Sequence, residues 1–197
     1  MNYNTFKIVF LGDTSVGKTC IVNRYINKSF SEYQESTIGA AFTSTNVYLE
    51  DRTVKLDIWD TAGQERYKSL APMYYRNASA AFIIFDITNY ETFNSAKKWI
   101  KELNNISNNA TLIYLIGNKC DLEHKREVQY YDALTFSNKN KFTYYETSAK
   151  NAHNTDYIFT QVAQDMIDNS SNEFTDINLN SIEIIDKKNK KSCCGSS

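Results

Sequence analysis

The chain has 197 residues, of which 42% are hydrophobic and 14% aromatic, and its formal net charge is −1. This length and apolar content support one sizeable core, and the balanced charge excludes a general attraction to nucleic acid. Because the sequence contains neither a secretory leader nor eighteen consecutive apolar residues, we expect the folded part to be cytosolic.

Short apolar runs bounded by polar turns predict the strands of a buried sheet. Near-continuous apolar runs are typical of parallel strands that are covered on both faces. The segment 45–59 differs, because Val54, Leu56 and Ile58 alternate with polar residues, and it predicts an antiparallel hairpin at the sheet edge. The predicted parallel strands are FKIVFL at 6–11, AAFIIFD at 80–86, TLIYLIG at 111–117 and FTYY at 142–145.

Amphipathic segments between these strands predict helices over the segments 20–26, 91–106 and 155–167. Strands that alternate with helices favour a doubly wound α/β fold, in which ligands bind beyond the carboxyl ends of the strands. The apolar stripes consist of Phe93, Ala96, Ile100 and Leu103 in one helix and of Phe159, Val162, Ala163, Met166 and Ile167 in another.

The carboxyl-terminal part of the chain has no such pattern. From about residue 168 the sequence is rich in Asn, Ser and charge, so we expect a folded domain over 1–169 and a flexible tail over 170–197. Ile182, Ile184 and Ile185 form a candidate docking patch in this tail, which ends in KKNKKSCCGSS.

The stretch GDTSVGKT, 12–19, follows the first predicted strand and fits the phosphate-binding pattern GxxxxGK(S/T). Its two glycines allow successive backbone N–H groups to point at phosphate oxygens, beside the positive end of the following helix. Lys18 would reach the β and γ phosphates, and Thr19 would offer a hydroxyl to Mg²⁺. An ordinary glycine turn is the alternative, but the flanking strand and helix favour phosphate binding.

The loop QESTIGAAF, 34–42, contains Thr37, which could close over Mg²⁺ and the γ phosphate. Phe30, seven residues earlier, could lean against a base or ribose. From these residues alone, a polar loop and a core aromatic are the better interpretation.

The segment WDTAGQE, 59–65, begins at the end of the hairpin's second strand. Asp60 suits a carboxylate near magnesium, and Gly63 can bring its amide to a γ phosphate because it has no side chain. Gln64 could orient an attacking water. As an isolated turn the segment would prove little, since Asp, Thr and Gly are ordinary turn residues.

The segments NKCD, 118–121, and ETSAK, 146–150, each follow a predicted strand. The two carboxylate oxygens of Asp121 suit the N1–H and exocyclic amine of guanine, a donor pair that adenine lacks. Asn118 and Lys119 would brace the loop and cover the ring, and the Ala149 amide would approach the guanine oxygen. NKCD alone is a weak signal, whereas both segments together favour GTP over ATP.

Together, GDTSVGKT, the threonine of STIGAAF, WDTAGQE, NKCD and ETSAK resemble the Ras superfamily of small GTPases over residues 6–169. The stretches IGAAF and KLDIWDTAGQERYKSLAPMYYR and the terminal CC are most similar to Rab proteins, and STIGAAF with SLAPMYYR to their early-endosomal branch. The resemblance implies the P-loop small GTPase fold, a six-stranded, mostly parallel sheet with one antiparallel edge strand and helices on both faces.

The resemblance further implies a GTPase that hydrolyses GTP to GDP slowly and recruits effectors in vesicle trafficking, in endocytic and early-endosome fusion. Its catalytic residues would be Lys18, Thr37, Gly63 and Gln64, and Thr19, Thr37 and Asp60 would hold the Mg²⁺ cofactor. The implied nucleotide-binding residues are Asp13, Thr14, Ser15, Val16, Gly17, Lys18, Thr19, Cys20, Phe30, Thr37, Gly63, Asn118, Lys119, Asp121, Ser148, Ala149 and Lys150.

The partners implied by the resemblance are an exchange factor, a GTPase-activating protein, a GDP dissociation inhibitor, a prenyltransferase with its escort protein, and trafficking effectors. Prenyl groups on Cys193 and Cys194 would attach the chain to the cytoplasmic face of membranes, chiefly the early endosome, assisted by the tail lysines. The effector surface would contain Ile38, Phe42, Trp59 and Tyr74. For the aromatic residues, simple core packing is the alternative.

Two positions depart from the family's common pattern. Thr14 stands where Ras has glycine, which bears on the intrinsic hydrolysis rate, and Asn77 replaces the usual glycine after YYR, so we expect a changed end of the switch helix. Two other functions are open to test: a constitutive interaction module with GTP as a structural ligand, and a P-loop ATPase or nucleotide kinase. The intact Thr37, Gly63 and Gln64 disfavour the first, and NKCD with ETSAK disfavours the second.

Overall fold

The computed structural model describes residues 4–106 and 111–170. In this part of the chain six strands form one sheet. They are β1 (Asn4–Leu11), β2 (Ala40–Tyr48), β3 (Thr53–Thr61), β4 (Ala80–Asp86), β5 (Leu112–Asn118) and β6 (Thr143–Glu146). Their order is β2-β3-β1-β4-β5-β6, in which β2 runs antiparallel to β3 and the other pairs are parallel. The predicted mostly parallel sheet with one antiparallel edge strand is therefore confirmed.

Helices cover both faces of this sheet. They are α1 (Lys18–Asn27), α2 (Ala71–Tyr75), α3 (Tyr90–Ile106), α4 (Tyr130–Lys139) and α5, which covers 155–170, together with 3₁₀ helices over Glu65–Leu70 and Cys120–Lys125. The core on one face includes residues of α1 and α5, and the core on the other includes residues of α2, α3 and α4. Within the described residues, no helix combines the length and apolarity that crossing a bilayer requires.

The central strand β1 shows why this sheet needs two covers. Ile8 and Phe10 belong to the core under α1 and α5, whereas Val9 and Leu11 belong to the core under α3. All four side chains are almost fully buried, as expected for a parallel strand between two helical layers. The apolar stripes predicted for α3 and α5 are buried as well.

Some element boundaries differ from the sequence prediction. Strand β3 continues to Thr61 and β2 begins at Ala40, because these two residues still pair across the hairpin. The segment WDTAGQE therefore contains the end of β3 rather than following it. Helix α4 was not predicted, since its buried residues Ala133 and Ser137 are small and one of them is polar.

Asn77 lies just beyond α2 and has a left-handed backbone, with φ of 57°. Glycine adopts this conformation without strain, and asparagine is among the residues that tolerate it. Asn77 therefore suits the backbone conformation of the turn that follows α2. The tail over 171–197, including the candidate patch at 182–185 and the two terminal cysteines, lies outside the described residues.

Candidate nucleotide-binding and catalytic site

A cavity of about 380 Å³ lies where residues directly after β1, β3, β5 and β6 meet, and its size is typical of a small-molecule site. Most residues that the motifs predicted line it. These are Thr14, Ser15, Gly17, Lys18, Thr19, Cys20, Phe30, Thr37, Gly63, Gln64, Asn118, Lys119, Asp121, Ala149 and Lys150. Lining residues that were not among the predicted site residues are Ser31, Glu32, Gln34, Glu35, Ser36, Thr61 and Leu122.

Four predicted site residues do not line the cavity but support those that do. The carbonyl of Asp13 accepts a hydrogen bond from Lys18, and the carbonyl of the buried Val16 accepts one from Asn118. Ser148 donates to Asp121, and Asp60 accepts from Thr19. These residues therefore hold the lining residues in place through hydrogen bonds.

The loop between β1 and α1 passes too close to its neighbours for side chains at its glycines. A Cβ on Gly12 would lie 2.2 Å from the carbonyl oxygen of Ile84, and one on Gly17 would lie 2.3 Å from Nδ2 of Asn118. Both glycines also have positive φ, at 141° and 97°. The sequence therefore needs glycine here both for space and for backbone conformation.

Lys18 begins α1, and its ammonium group is almost completely buried at the cavity wall. Nζ donates to the carbonyl oxygens of Gly12 and Asp13, at 2.8 Å each. Burial lowers the pKa of Lys18 to about 8, although the charges of Asp60 and Asp13 oppose this shift. A phosphate bound beside Nζ would favour its charged form in the same way.

Thr19, Thr37 and Asp60 come together at one side of the cavity. The Thr19 hydroxyl lies 2.6 Å from Oδ2 of Asp60 and 2.9 Å from the Thr37 hydroxyl. Burial raises the pKa of Asp60, and the Thr19 hydroxyl, the charge of Lys18 and the Thr37 hydroxyl oppose this. Oδ1 of Asp60 is buried and accepts no hydrogen bond from any described residue.

This group of oxygens fits Mg²⁺, which prefers oxygen ligands and would satisfy the unpaired Oδ1. Thr19, Thr37 and Asp60 would hold the ion directly or through water. The bound ion would supply positive charge to the phosphate oxygens of a nucleotide.

Gly63 and Gln64 follow β3 and face the loop between β1 and α1. A Cβ on Gly63 would lie 2.4 Å from the carbonyl carbon of Asp13 and from the backbone nitrogen of Thr14, so only glycine fits. Gln64 lines the cavity and precedes the 3₁₀ helix Glu65–Leu70, where its carbonyl accepts a hydrogen bond from the Tyr67 amide. The segment after β3 therefore brings Gln64 to the phosphate end of the cavity.

Asn118 connects three loops at the other end of the cavity. Its Nδ2 donates to the Val16 carbonyl at 2.8 Å, and its Oδ1 accepts hydrogen bonds from the Thr147 hydroxyl and the Ala149 amide, at 3.2 and 3.4 Å. The side chain is 2% exposed, so these bonds form in a region of low dielectric. Asn118 therefore links these loops through its side-chain hydrogen bonds.

The neighbouring base-binding residues are also held by side chains. Oδ1 of Asp121 accepts a hydrogen bond from Ser148 at 2.5 Å. Lys119 has a left-handed backbone, and its Nζ forms an ion pair with Asp86 at 2.6 Å. Asp86 was missed by the motifs, although its position at the carboxyl end of β4 is a signal that could have found it.

Arg24 is a second supporting residue that no motif indicates. Its guanidinium donates to the carbonyls of Ala149 and Lys150 at 2.7 and 2.8 Å and lies 6.0 Å from the centre of the Phe30 ring. The same side chain thus contacts the ETSAK loop and the aromatic residue predicted to lean against the nucleotide.

Three of the predicted effector residues, Phe42, Trp59 and Tyr74, form a row of aromatic rings outside the cavity. The ring centres of Phe42 and Trp59 are 5.2 Å apart, and those of Trp59 and Tyr74 are 5.7 Å apart. Trp59 and Tyr74 pack partly against the core, whereas Phe42 and Ile38 are exposed. Core packing therefore accounts in part for Trp59 and Tyr74 but not for Phe42 and Ile38.

This combination of a phosphate loop, an oxygen-rich metal site and base-binding loops, arranged at one edge of a mostly parallel sheet, defines a P-loop small GTPase. A protein-family model described as Ras family matches residues 7–168, so the chain belongs to the Ras family. Like other members, it binds and hydrolyses GTP. Members of the family typically use Mg²⁺ and generally interact with exchange factors, activating proteins and effectors.

The site explains how such a chain would hydrolyse GTP. Attack of water on the γ phosphate requires an oriented nucleophile and stabilisation of negative charge, which Gln64 and Lys18 are placed to provide. No arginine occurs among the described residues that line the cavity.

Proposed function

We propose that the chain is a Rab-type GTPase that recruits effectors in vesicle trafficking and acts in endocytic fusion at the early endosome. The observation that carries the proposal is the row of Phe42, Trp59 and Tyr74 on the outside of the site. The similarity of STIGAAF and SLAPMYYR to the early-endosomal branch of Rab proteins supports the compartment.

The position of this row suits a surface that reports the nucleotide. Phe42 and Trp59 are paired across β2 and β3, five residues after Thr37 and four residues before Gly63. Contacts of Thr37 and Gly63 with a γ phosphate would therefore be made at both flanks of the row. Loss of the phosphate would release both flanks together, and partners would bind the GTP form selectively.

The tail provides the membrane attachment in this proposal. Geranylgeranyl groups on Cys193 and Cys194, added by a prenyltransferase with an escort protein, would supply two lipid chains, and four nearby lysines would add attraction to anionic lipid. A GDP dissociation inhibitor would then withdraw the lipidated GDP form from the membrane into the cytosol.

Microscopy of a tagged full-length chain in cells tests the proposal. We expect Gln64→Leu to accumulate on membranes that carry an early-endosomal marker, and Cys193→Ser with Cys194→Ser to be wholly soluble. Adding Phe42→Ala should disperse the endosomal signal without reducing GTP binding in vitro. Tyr48→Ala is the matched control, because Tyr48 is an exposed aromatic residue at the other end of β2.

Two outcomes would contradict this proposal. Accumulation of Gln64→Leu on a different membrane would contradict the assignment to the early endosome. If Phe42→Ala and Tyr48→Ala dispersed the endosomal signal equally, the aromatic row would not be the surface that recruits effectors.

A further inference from the structure

Arg126 forms a dense group of hydrogen bonds just behind the base-binding end of the cavity. Its two terminal nitrogens donate to the two carboxylate oxygens of Glu146, both at 2.8 Å. The same guanidinium donates to Glu123 at 2.8 and 2.6 Å and to the Val128 carbonyl at 2.9 Å. The side chains of Arg126 and Glu146 are only 10% and 13% exposed, so their bidentate pair is largely shielded from water.

Glu146 is itself fixed at both its side chain and its backbone. The Tyr144 hydroxyl donates to Oε1 of Glu146 at 2.7 Å, and Nδ2 of Asn154 donates to the Glu146 carbonyl at 2.9 Å. Glu146 ends β6 and stands two residues before Ser148. Because Glu146 is the first residue of ETSAK, a shift of its side chain would also move this loop.

Arg126 stands at the end of the other base-binding loop. It directly follows the 3₁₀ helix Cys120–Lys125, which carries Asp121. The two loops contact each other at the front, where Ser148 donates to Asp121 at 2.5 Å and the Cys120 amide donates to the Thr147 carbonyl at 3.1 Å. The Arg126–Glu146 pair joins the same two loops at the rear.

We propose that Arg126 and Glu146 are positioning residues for guanine selection. Their ion pair fixes the separation of the two loops, so that Asp121 and the Ala149 amide are presented to one base at once. Neither residue lines the cavity, and both therefore act through the loops that they join. The inference rests on guanine-nucleotide binding by the family and does not depend on the trafficking proposal.

The physical reason is that selection between bases depends on where the hydrogen-bonding groups of the two loops lie relative to the base. A carboxylate that accepts from both N1–H and the exocyclic amine must lie within hydrogen-bond distance of both donors. If the loops shift, one of the two bonds weakens first. Hypoxanthine retains N1–H but lacks the exocyclic amine, so its nucleotides lose less than guanine nucleotides when Asp121 moves.

The test is the ratio of the dissociation constants of GDP and IDP, measured with Mg²⁺ on the full chain. We expect Glu146→Gln and Arg126→Gln to reduce the preference for GDP by about three- to tenfold, the effect of one weakened hydrogen bond. Arg126→Lys, which keeps the charge but loses the two-pronged geometry, should recover part of the preference.

Glu123→Gln is the matched control, because it removes a carboxylate partner of Arg126 within the same loop and leaves the bridge to Glu146. It should leave the GDP preference nearly unchanged. Melting temperatures identify variants that fail to fold, and Tyr144→Phe then provides a milder change at Glu146, for which we expect a smaller reduction in the same direction.

Equal losses of GDP and IDP affinity in Glu146→Gln would show a purely structural pair and overturn the proposal. An effect of Glu123→Gln as large as that of Glu146→Gln would overturn it too, because the bridge would then not matter. Asp121→Asn tests the premise. If its GDP preference is unchanged, Asp121 does not read the base, and the positioning role fails with it while trafficking is untouched.

Discussion

At the scale of single residues, Asp60 shows how the fold keeps a charge available for a ligand. One carboxylate oxygen accepts from Thr19, whereas the other is buried without a partner among the described residues. A buried polar atom that makes no hydrogen bond costs free energy, about 1–3 kcal/mol for an ordinary group and more for a charged one. A bound cation would offset this cost, so the unpaired Oδ1 of Asp60 favours metal-dependent nucleotide binding.

Asp60→Asn should uncouple nucleotide release from Mg²⁺, because the amide neither carries charge nor replaces both oxygens. We expect the ratio of GDP release rates in EDTA and in Mg²⁺ to fall toward one. Fluorescent GDP displaced by excess GDP measures both rates. Asp57→Asn, on the same strand but hydrogen-bonded to Ser44, is the control and should keep the wild-type ratio; a normal Mg²⁺ effect in Asp60→Asn would contradict the metal role.

Gln64→Leu should slow hydrolysis without weakening GTP binding. Leucine cannot orient a water, and a poorly placed nucleophile costs about tenfold or more in rate. Single-turnover phosphate release measures the rate, and titration with a non-hydrolysable GTP analogue measures the affinity. Unchanged turnover would remove Gln64 from the catalytic residues.

Residues within motifs could be predicted from the sequence, whereas a supporting residue outside every motif, such as Arg24, could not. Lys18, Thr19, Asn118 and Asp121 occur at fixed spacings next to predicted strands, and the structure brings them to one cavity. Arg24 contacts Ala149 across 125 positions of sequence, and no local pattern records such a contact. Supporting residues of this kind become visible only when the fold is known.

At the scale of elements, the backbone segments that follow two neighbouring strands approach each other closely in the site. Strands β1 and β3 are parallel and adjacent, so the segments that follow them meet at one edge. Gly63 packs there against the backbone of Asp13 and Thr14. A side chain at position 63 would therefore have to push the two segments apart.

Gly63→Ala should permit GDP binding but hinder the arrangement that hydrolysis needs. The added Cβ would lie 2.4 Å from backbone atoms. Because these are backbone atoms and not the end of a flexible side chain, the contact could be relieved only by a shift of the loop. We expect single-turnover hydrolysis to fall about tenfold or more while GDP affinity changes less than about threefold. Loss of GDP binding to the same extent as hydrolysis would instead indicate general damage to the loop.

The predictability of each element follows from how it is buried. Strand β4 is buried along its whole length, and its apolar run made the prediction straightforward. Most of β2 is exposed, so its pattern carries little signal before Thr45, and its early start at Ala40 depends on pairing with β3. Helix α4 buries only the small residues Ala133 and Ser137 fully, whereas Leu134 and Phe136 are partly buried, so its apolar period is weak.

At the scale of the whole molecule, the cavity brings together segments from most of the described length. Its lining extends from Thr14 to Lys150 and includes residues that follow four of the six strands. Two distant parts of this lining are also paired directly, since Lys150 and Glu32, 118 positions apart in the sequence, form an ion pair at 2.7 Å. An unfolded chain cannot assemble such a surface, so a nucleotide that fills it must bind the native state selectively.

Thermal unfolding should therefore depend strongly on guanine nucleotide. A ligand at about 1,000 times its dissociation constant adds about 4 kcal/mol to the free energy of unfolding, which raises the melting temperature of a domain of this size by about 8–16 °C. Calorimetry of the chain stripped with EDTA, then reloaded with Mg²⁺ and GDP, measures this shift. ADP is the control, because a site that requires the donor pair of guanine should not be stabilised by adenine; equal stabilisation by ADP would show that phosphate contacts alone hold the cavity together and that Asp121 does not select the base.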